Sequence, residues 1–438
     1  MITEDYHRKT ISPDELQDLK AISDVSISDI TLEDYPNLLV FPDSFESYDR
    51  DFGKKEICKV NEDEMELHTN SIVGFVGRNN THLSIHSRFA NNGREDYFLH
   101  YMLQKVSSIN LFNLQHTMDE DSVFDFLVYL FPIYLKKAVG QGIYKKYITK
   151  KYNDANIRGN IDVNRHIRFN EPFNGKVAYF SREYSYDNEI TQLVRHTIEF
   201  IGQQKCFVLL NWDRDTHWAV EQIISATPSY CEGERQTIID KNLRPIAHPY
   251  YYEYTPLQRI CIQILRHEEL KYGQEENEIY GVLIDAAWLW EEYLALILEG
   301  RFIHYLKDKG KKFYLFENSQ QIVPDYLSLD KKIVADAKYI PLNRESWYGE
   351  EKATSIYYKT ITYMYRFCSY QGFLLYPYPD YEVKPITLKI KTEIDGINGG
   401  NIIKLGLRIP SRCKSFEDFS TLMQINEGVF IDQLKEVN

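Results

Sequence analysis

The segment Ile322–Tyr339 constrains this 438-residue chain most, because two apolar β-type runs flank a short polar stretch. This pattern predicts a β-hairpin with a two-residue turn at Asp330-Lys331. In that register Asp325 lies directly opposite Asp336, and strand alternation places Lys338 on the same face. Two carboxylates and an ammonium group are therefore expected to converge where a core strand ordinarily carries no charge.

Such a carboxylate pair indicates a metal site. Two close carboxylates repel each other unless a positive charge lies between them, and oxygen ligands favour a hard divalent cation. Mg²⁺ fits best, with Mn²⁺ as the substitute, because it is held by one or two carboxylates with waters and phosphate oxygens. A lysine beside the ion can position a water for attack on phosphorus, which is the chemistry of phosphodiester hydrolysis. The alternative is a surface hairpin with solvated charges. Asp-x-Lys is common by chance, so the hypothesis depends on Asp325 at matching register.

A helix upstream of the hairpin supplies a fourth candidate. Its predicted span is Val282 to about Leu306, with an apolar stripe at helical spacing. Glu291 lies inside that stripe, where a carboxylate must be paired, protonated or metal-bound. Glu292 instead aligns with Asp285 and Glu299 on a polar stripe that is expected to face solvent. Glu291 is therefore favoured for the site, and the alternative is a salt bridge at its rim.

The order of these residues resembles a known nuclease core. Glu291, Pro324-Asp325 and Asp336-Ala337-Lys338 follow one another as in the PD-(D/E)XK nucleases. Leu289-Trp-Glu-Glu-Tyr293 resembles the preceding helix of McrC-type restriction subunits, and Ile157-Arg-Gly-Asn-Ile-Asp162 resembles an Arg-Gly-x-Ile-Asp motif of that family. The similarity extends over about residues 70 to 380 and is specific in combination.

The resemblance implies a fold and a site. The fold is α/β, with a PD-(D/E)XK core (a mixed sheet flanked by helices) at the C-terminus and a mixed β and helical N-terminal region before it. The catalytic set would be Asp325, Asp336, Lys338 and Glu291. The metal ligands would be the Asp325 and Asp336 carboxylates and the Ala337 backbone carbonyl, with Glu291 as a further ligand.

We expect the chain to have three segments: a β-rich docking region over 1–95, a helical and mixed region over 96–248, and the endonuclease domain over 249–438, with a boundary near Pro245–Tyr252.

The resemblance also implies partners. The chain has no Gly-x-x-x-x-Gly-Lys-Ser/Thr loop or other nucleotide-binding motif. McrC-type subunits act with a separate McrB-like AAA+ NTPase hexamer, a GTPase in the best-known systems. The N-terminal region would dock on that motor and stimulate it, while the C-terminal domain cuts double-stranded DNA that is methylated or otherwise modified.

Charge limits how the chain could hold DNA. The net charge of −13 is unfavourable for a protein that binds DNA alone, because phosphate neutralisation dominates affinity. A basic stretch with interleaved tyrosines is the exception. An acidic protein surface or plain solvent could equally face this stretch. Lys359 occupies a position where many relatives carry Gln, and it is expected either to contact phosphate or to weaken the site. The residues expected to contact nucleic acid are Lys145, Lys146, Lys150, Lys151, Arg158 and Lys359.

Other patterns set outer bounds. No apolar run approaches the roughly 18–20 residues that span a bilayer, and the N-terminus lacks a secretory pattern, so we expect a cytoplasmic protein. Six scattered cysteines predict neither disulfides nor zinc. Strands are expected within 65–89, 386–391 and 402–408, and helices over about 97–151 and 188–204. A non-catalytic adaptor of the motor with a decayed nuclease fold, and a nuclease that needs no motor, remain as alternatives.

Overall fold

The computed structural model divides into two compact units, Met1–Val123 with Glu269–Asn438, and Phe124–Glu268. The expected segments 1–95, 96–248 and 249–438 differ from these units, because the two ends of the chain share one of them. Pro245–Tyr252, expected at a boundary, lies inside the second unit. The structure describes residues 1–27, 30, 35, 38–41, 56–90, 95–107, 120–203, 207–211, 213–246, 248–266, 277–305, 313–317, 319–340, 342, 350–379, 384–391 and 399–436.

The first unit begins with a five-stranded sheet. Its strands are β1 (Ile2–Glu4), β3 (Leu38–Phe41), β6 (Ile72–Arg78), β7 (Thr81–His86) and β11 (Ile279–Asp285). They lie in the order β1-β7-β6-β11-β3, and the antiparallel pair β6 and β7 confirms the strands expected within 65–89. Helix α1 (Pro13–Ser23) starts with proline after a capping box. A smaller sheet contains β2 (Arg8–Thr10), β4 (Cys58–Asn61) and β5 (Glu66–Thr69).

Strand β11 corrects a sequence-based prediction. Val282–Asp285, expected to begin a helix, is the second half of β11, which pairs with β6 and β3. Every residue of β11 is buried. A continuous apolar run of this kind is compatible with a buried strand or a buried helix, so periodicity alone could not separate them. The helix that follows, α9, spans only Ala286–Ile297, and Phe302–His304 forms β12.

A six-stranded mixed sheet forms the C-terminal part of the same unit. Its strands are β12, β15 (Tyr326–Ser328), β16 (Ile333–Ala337), β17 (Gln371–Pro379), β18 (Ile386–Lys389) and β19 (Asn401–Ile409). The order is β12-β15-β16-β17-β19-β18, with parallel pairs at the centre and antiparallel pairs at the edges. The strands expected near 386 and 402 therefore complete this sheet. The helices of this part include α10 (Glu350–Phe367) and α11 (Phe416–Glu436). Helix α2 (Tyr97–Ser107) contacts α9. A separate two-stranded sheet pairs β13 (Tyr314–Phe316) with β14 (Ser319–Gln321).

The second unit is mostly helical, with a three-stranded sheet. The helices are α3 (Glu120–Gly140), α4 (Val163–Asn170), α5 (Glu189–Gly202), α6 (Arg214–Ala226), α7 (Arg235–Lys241) and α8 (Tyr254–Leu265). The strands are β8 (Lys146–Asp154), β9 (Asn160–Ile161) and β10 (Val177–Ser185), in the order β8-β10-β9. The helix expected as far as Lys151 ends at Gly140, and Gly142 follows at a φ of +102°. Lys146–Lys151 are therefore on a strand.

Within the described part of the chain, no helix combines the length and apolar character that crossing a membrane requires.

Candidate active site

The hairpin of β15 and β16 has the predicted register. Four residues connect the strands instead of two, and the Lys331 backbone N–H donates to the Ser328 carbonyl to close the turn. The longer connection leaves the alignment unchanged, so Asp325 still faces Asp336 at the end of the ladder. The observed pairs are Tyr326 with Ala335 and Leu327 with Val334.

Two carboxylates and two ammonium groups meet at this end of the hairpin. Asp325 is 8% exposed, and its Oδ2 accepts a 2.7 Å hydrogen bond from the Ala337 backbone N–H. Asp336 is buried in an ion pair with Lys338. Lys359, from α10, places its Nζ 3.9 Å from Asp336 Oδ1. The structure thus brings together the three predicted residues of the hairpin and adds Lys359, which was expected only as a contact to nucleic acid.

The two carboxyl groups have opposite pKa shifts. Burial raises the pKa of Asp325 well above its ordinary value, and the negative charges of Asp336 and Glu291 raise it further. Burial also acts to raise the pKa of Asp336, but the ammonium groups of Lys338 and Lys359 hold it below its ordinary value. Without a divalent cation Asp325 is therefore the carboxyl group of the pair whose ionised form is disfavoured.

Glu291 is anchored beside this pair by two contacts. Its Oε1 lies 2.9 Å from Nε2 of His304, a residue of β12. The Tyr326 hydroxyl donates to the Glu291 backbone carbonyl, and the rings of Tyr326 and His304 are 5.2 Å apart. Sequence reasoning placed Glu291 near the site but missed His304, because a histidine on a three-residue strand has no motif or periodicity to mark it.

The predicted solvent face of the upstream helix is wrong. Glu292 is 7% exposed and Asp285 is fully buried, whereas only Glu299, beyond the helix, is exposed. Asp285 is the N-cap of α9; its Oδ1 accepts hydrogen bonds from the backbone N–H groups of Ala287 and Trp288. The reason for the error is that α9 contacts α2, β12 and β16, so protein surrounds the stripe that was expected to meet water.

The residues at the hairpin fit a hard divalent cation. Both carboxylate oxygens of Asp336 are buried; Oδ2 is in an ion pair with Lys338, and Oδ1 lies 3.9 Å from Lys359 Nζ. The neighbouring donors are oxygens: the Asp325 carboxylate, the Ala337 carbonyl and, nearby, the Glu291 carboxylate. Oxygen donors of this type suit Mg²⁺ or Mn²⁺. A cation here would also favour the ionised form of Asp325, which burial disfavours.

The basic residues of β8 do not form one surface. Lys146 pairs with Glu189, Lys150 Nζ lies 3.7 Å from Glu183, and Arg158 lies 3.9 Å from Asp154. Strand alternation places Lys146 and Lys150 on one face of the sheet, with Lys145 and Lys151 on the other. Three of the five basic residues expected to contact nucleic acid here therefore already have carboxylate partners.

Comparisons with known proteins identify the family. A search of curated proteins finds no significant match. Two solved Thermococcus gammatolerans assemblies are similar. A half-complex of McrB AAA+ hexamers with bound McrC aligns at 15% identity, TM-score 0.43, over 97% of this chain and 99% of that chain. A McrBC complex aligns at 14% identity, TM-score 0.30, over 81% and 99%. The family described as "McrBC 5-methylcytosine restriction system component" matches residues 67–377, well over half of the sequence. The chain therefore belongs to the McrBC restriction-system family, as the McrC-like motifs predicted.

Proposed function

We propose that this chain is the nuclease subunit of a McrBC-like, modification-dependent restriction system and that it hydrolyses phosphodiester bonds in DNA with Mg²⁺ or Mn²⁺. The observation that supports this most is the buried, opposed pair of Asp325 and Asp336 with Lys338 in contact. In this proposal the six-stranded sheet is a PD-(D/E)XK core, and β15 and β16 are the strands that carry its motif.

The roles of the residues follow from their positions. Asp325, Asp336 and the Ala337 carbonyl would hold the ion, with Glu291 beside them. The ion, when bound, stabilises the negative charge that develops on the phosphate oxygens. Lys338, which pairs with Asp336, would use its ammonium group to orient a water toward phosphorus.

Lys359 has a different exposure and therefore a different proposed role. Its side chain is 40% exposed while its Nζ lies 3.9 Å from Asp336 Oδ1. It can reach a DNA phosphate at the rim of the site, as a point charge on a flexible stem. This is the phosphate-contact alternative of the sequence-based prediction.

We also propose that the chain acts on a separate motor. The solved Thermococcus gammatolerans McrC is bound to McrB AAA+ hexamers, and the present sequence has no phosphate-binding loop of its own. A McrB-like NTPase would supply nucleotide hydrolysis and bring modified double-stranded DNA to the Asp325 and Asp336 pair.

One observation favours a second function, a non-catalytic adaptor of the motor. Lys338 and Lys359 both face Asp336, so their two ammonium groups can compensate the carboxylates without a metal ion. The two functions differ in whether the hairpin binds a divalent cation, because an adaptor has no need of one.

Calorimetric titration of Mn²⁺ into the full chain separates these functions. The nuclease proposal predicts a binding site in the parent protein that Asp336→Asn abolishes. Asp330→Asn is the matched control, since Asp330 is an exposed aspartate in the turn of the same hairpin. Parent protein that binds no Mn²⁺ would favour the adaptor.

A further inference from the structure

One face of the second unit's sheet carries basic and aromatic residues. In the antiparallel pair of β8 and β10, Tyr147 faces Tyr184, Thr149 faces Arg182 and Lys151 faces Phe180. Facing residues and alternate residues share one side of a sheet, and these six are all exposed. We call this side, with Lys145 and Tyr186 at its end, the open face.

Aromatic rings and cations alternate across the open face. Tyr147 and Tyr184 are 57% and 52% exposed, with ring centroids 4.9 Å apart. The Arg182 guanidinium lies 5.1 Å from the Tyr147 ring. Lys145 Nζ lies 5.4 Å from the Tyr184 ring and 4.0 Å from the Tyr186 ring. The rings are thus flanked by positive charge and remain open on their outer sides.

The sheet separates its charges by face. Glu183 and Asp154 belong to the opposite side, where Lys150 and Arg158 pair with them. None of the eight residues of the open face is acidic, and among the described residues its three cations have no carboxylate within ion-pair distance. In a chain with a net charge of −13, such a surface favours a polyanion.

We infer that the open face binds single-stranded DNA, with bases stacked on its exposed rings and phosphates near its cations. Interleaved aromatic and basic groups are the combination that recognises unpaired nucleotides, because every base has a stacking face. In a duplex those faces are covered by neighbouring bases, so a double strand would use only the cations. The inference rests on the proposed function only in taking DNA as the ligand of this chain, and the binding itself requires neither the metal nor the motor.

The test is fluorescence anisotropy of a labelled oligothymidylate of about twenty nucleotides, which exceeds the usual site size of one binding module. The full chain is titrated in EDTA at low salt without the motor. Combined Tyr147→Ala and Tyr184→Ala should weaken binding at least about tenfold, since stacking contributes that much per base. Combined Tyr147→Phe and Tyr184→Phe should bind like the parent, because the rings remain. Tyr252→Ala is the matched control, a tyrosine of the same unit that is 63% exposed.

Three results would overturn the inference. The alanine pair could bind the oligonucleotide as the parent does while melting normally. It could lose single-stranded and duplex binding equally, which would indicate a surface that uses charge alone. It could also bind DNA normally and fail to copurify with the motor, which would make the open face a protein-docking surface. The anisotropy titration, repeated with a labelled duplex, contains EDTA and no motor, so the first two results can be interpreted whether or not Asp336 binds a metal. The third result comes from a separate copurification of the same variant with the motor.

Discussion

Asp325 and Asp336 face each other on one hairpin, yet only Asp336 contacts two ammonium groups. This difference gives Asp336 the lowered pKa and leaves Asp325 as a buried acid whose ionisation is unfavourable. A divalent cation between them would remove the penalty on Asp325. Without a metal ion the ionised pair is therefore expected to lower the stability of the folded chain, and metal binding is expected to restore it.

The first prediction concerns the stability of Asp325→Asn without metal. Because the folded state raises the pKa of Asp325, it retains a proton that the unfolded chain releases. The associated stability is full below the ordinary pKa and is lost as the pH rises toward the raised value. At about pH 8 in EDTA, Asp325→Asn should melt about 2 °C or more above the parent, a shift that corresponds to about 1 kcal/mol or more.

Thermal melts at about pH 5 and pH 8 check the direction of this effect, because the gain in melting temperature of Asp325→Asn over the parent should shrink at the lower pH. Saturating Mn²⁺ should reverse the order by stabilising the parent alone. Asp330→Asn, in the exposed turn of the hairpin, should show no gain. A variant less stable than the parent at the higher pH in EDTA would show that the folded state does not disfavour the ionised form of Asp325.

The second prediction concerns the contact between His304 and Glu291. His304→Ala removes the group that fixes the Glu291 carboxylate, and losing such a supporting contact typically costs about 10- to 100-fold in metal affinity. Manganese electron paramagnetic resonance measures that affinity directly. Glu291→Gln should show a comparable loss, whereas Glu292→Gln should keep the affinity and change only stability, because Glu292 is buried. Unchanged metal affinity in His304→Ala would show that the contact from His304 to Glu291 does not support the metal site.

At the scale of elements, the sequence was informative where side chains alternate and uninformative where they do not. The alternating runs around 322–339 predicted the hairpin and its register, and the helix expected from residue 188 begins there in the structure, with Asn188 as its N-cap. The continuous apolar run of β11 is compatible with either a strand or a helix, so the sequence alone does not separate the two. The lysines of β8 likewise gave no indication of a strand, because long basic side chains are compatible with a strand or a helix.

The third prediction tests strand β11. Gly281 has a φ of +142°, and an added Cβ would lie 2.2 Å from the Phe75 carbonyl oxygen of β6. Gly281→Ala should therefore destabilise the first unit by about 3 kcal/mol or more. Gly140→Ala, at the end of α3 with no atom within 4 Å of the added Cβ, should be neutral or slightly stabilising. Urea denaturation measures both; equal midpoints would place β11 elsewhere.

At the scale of the whole molecule, sequence reasoning could identify the family but not how the chain is divided. The predicted segment boundaries follow local sequence features, whereas the first unit joins β11 to strands from residues 2–86, a long-range pairing that local composition does not encode. Basic residues were grouped by their nearness in sequence, although the strand separates them onto two faces. The alignment of Asp325 with Asp336 could be predicted because the spacing of these residues reflects a single hairpin.

We propose that the Asp325 and Asp336 pair is the site of DNA hydrolysis, and a cleavage assay with the assembled complex can show this. The chain is combined with its AAA+ partner, nucleotide, Mg²⁺ and modified duplex DNA, and the product is followed on a gel. We predict that Asp336→Ala lowers cleavage by several orders of magnitude while stimulation of the partner's nucleotide hydrolysis survives, and that Lys332→Ala, in the exposed turn, cuts like the parent. Full cleavage by Asp336→Ala would contradict the account.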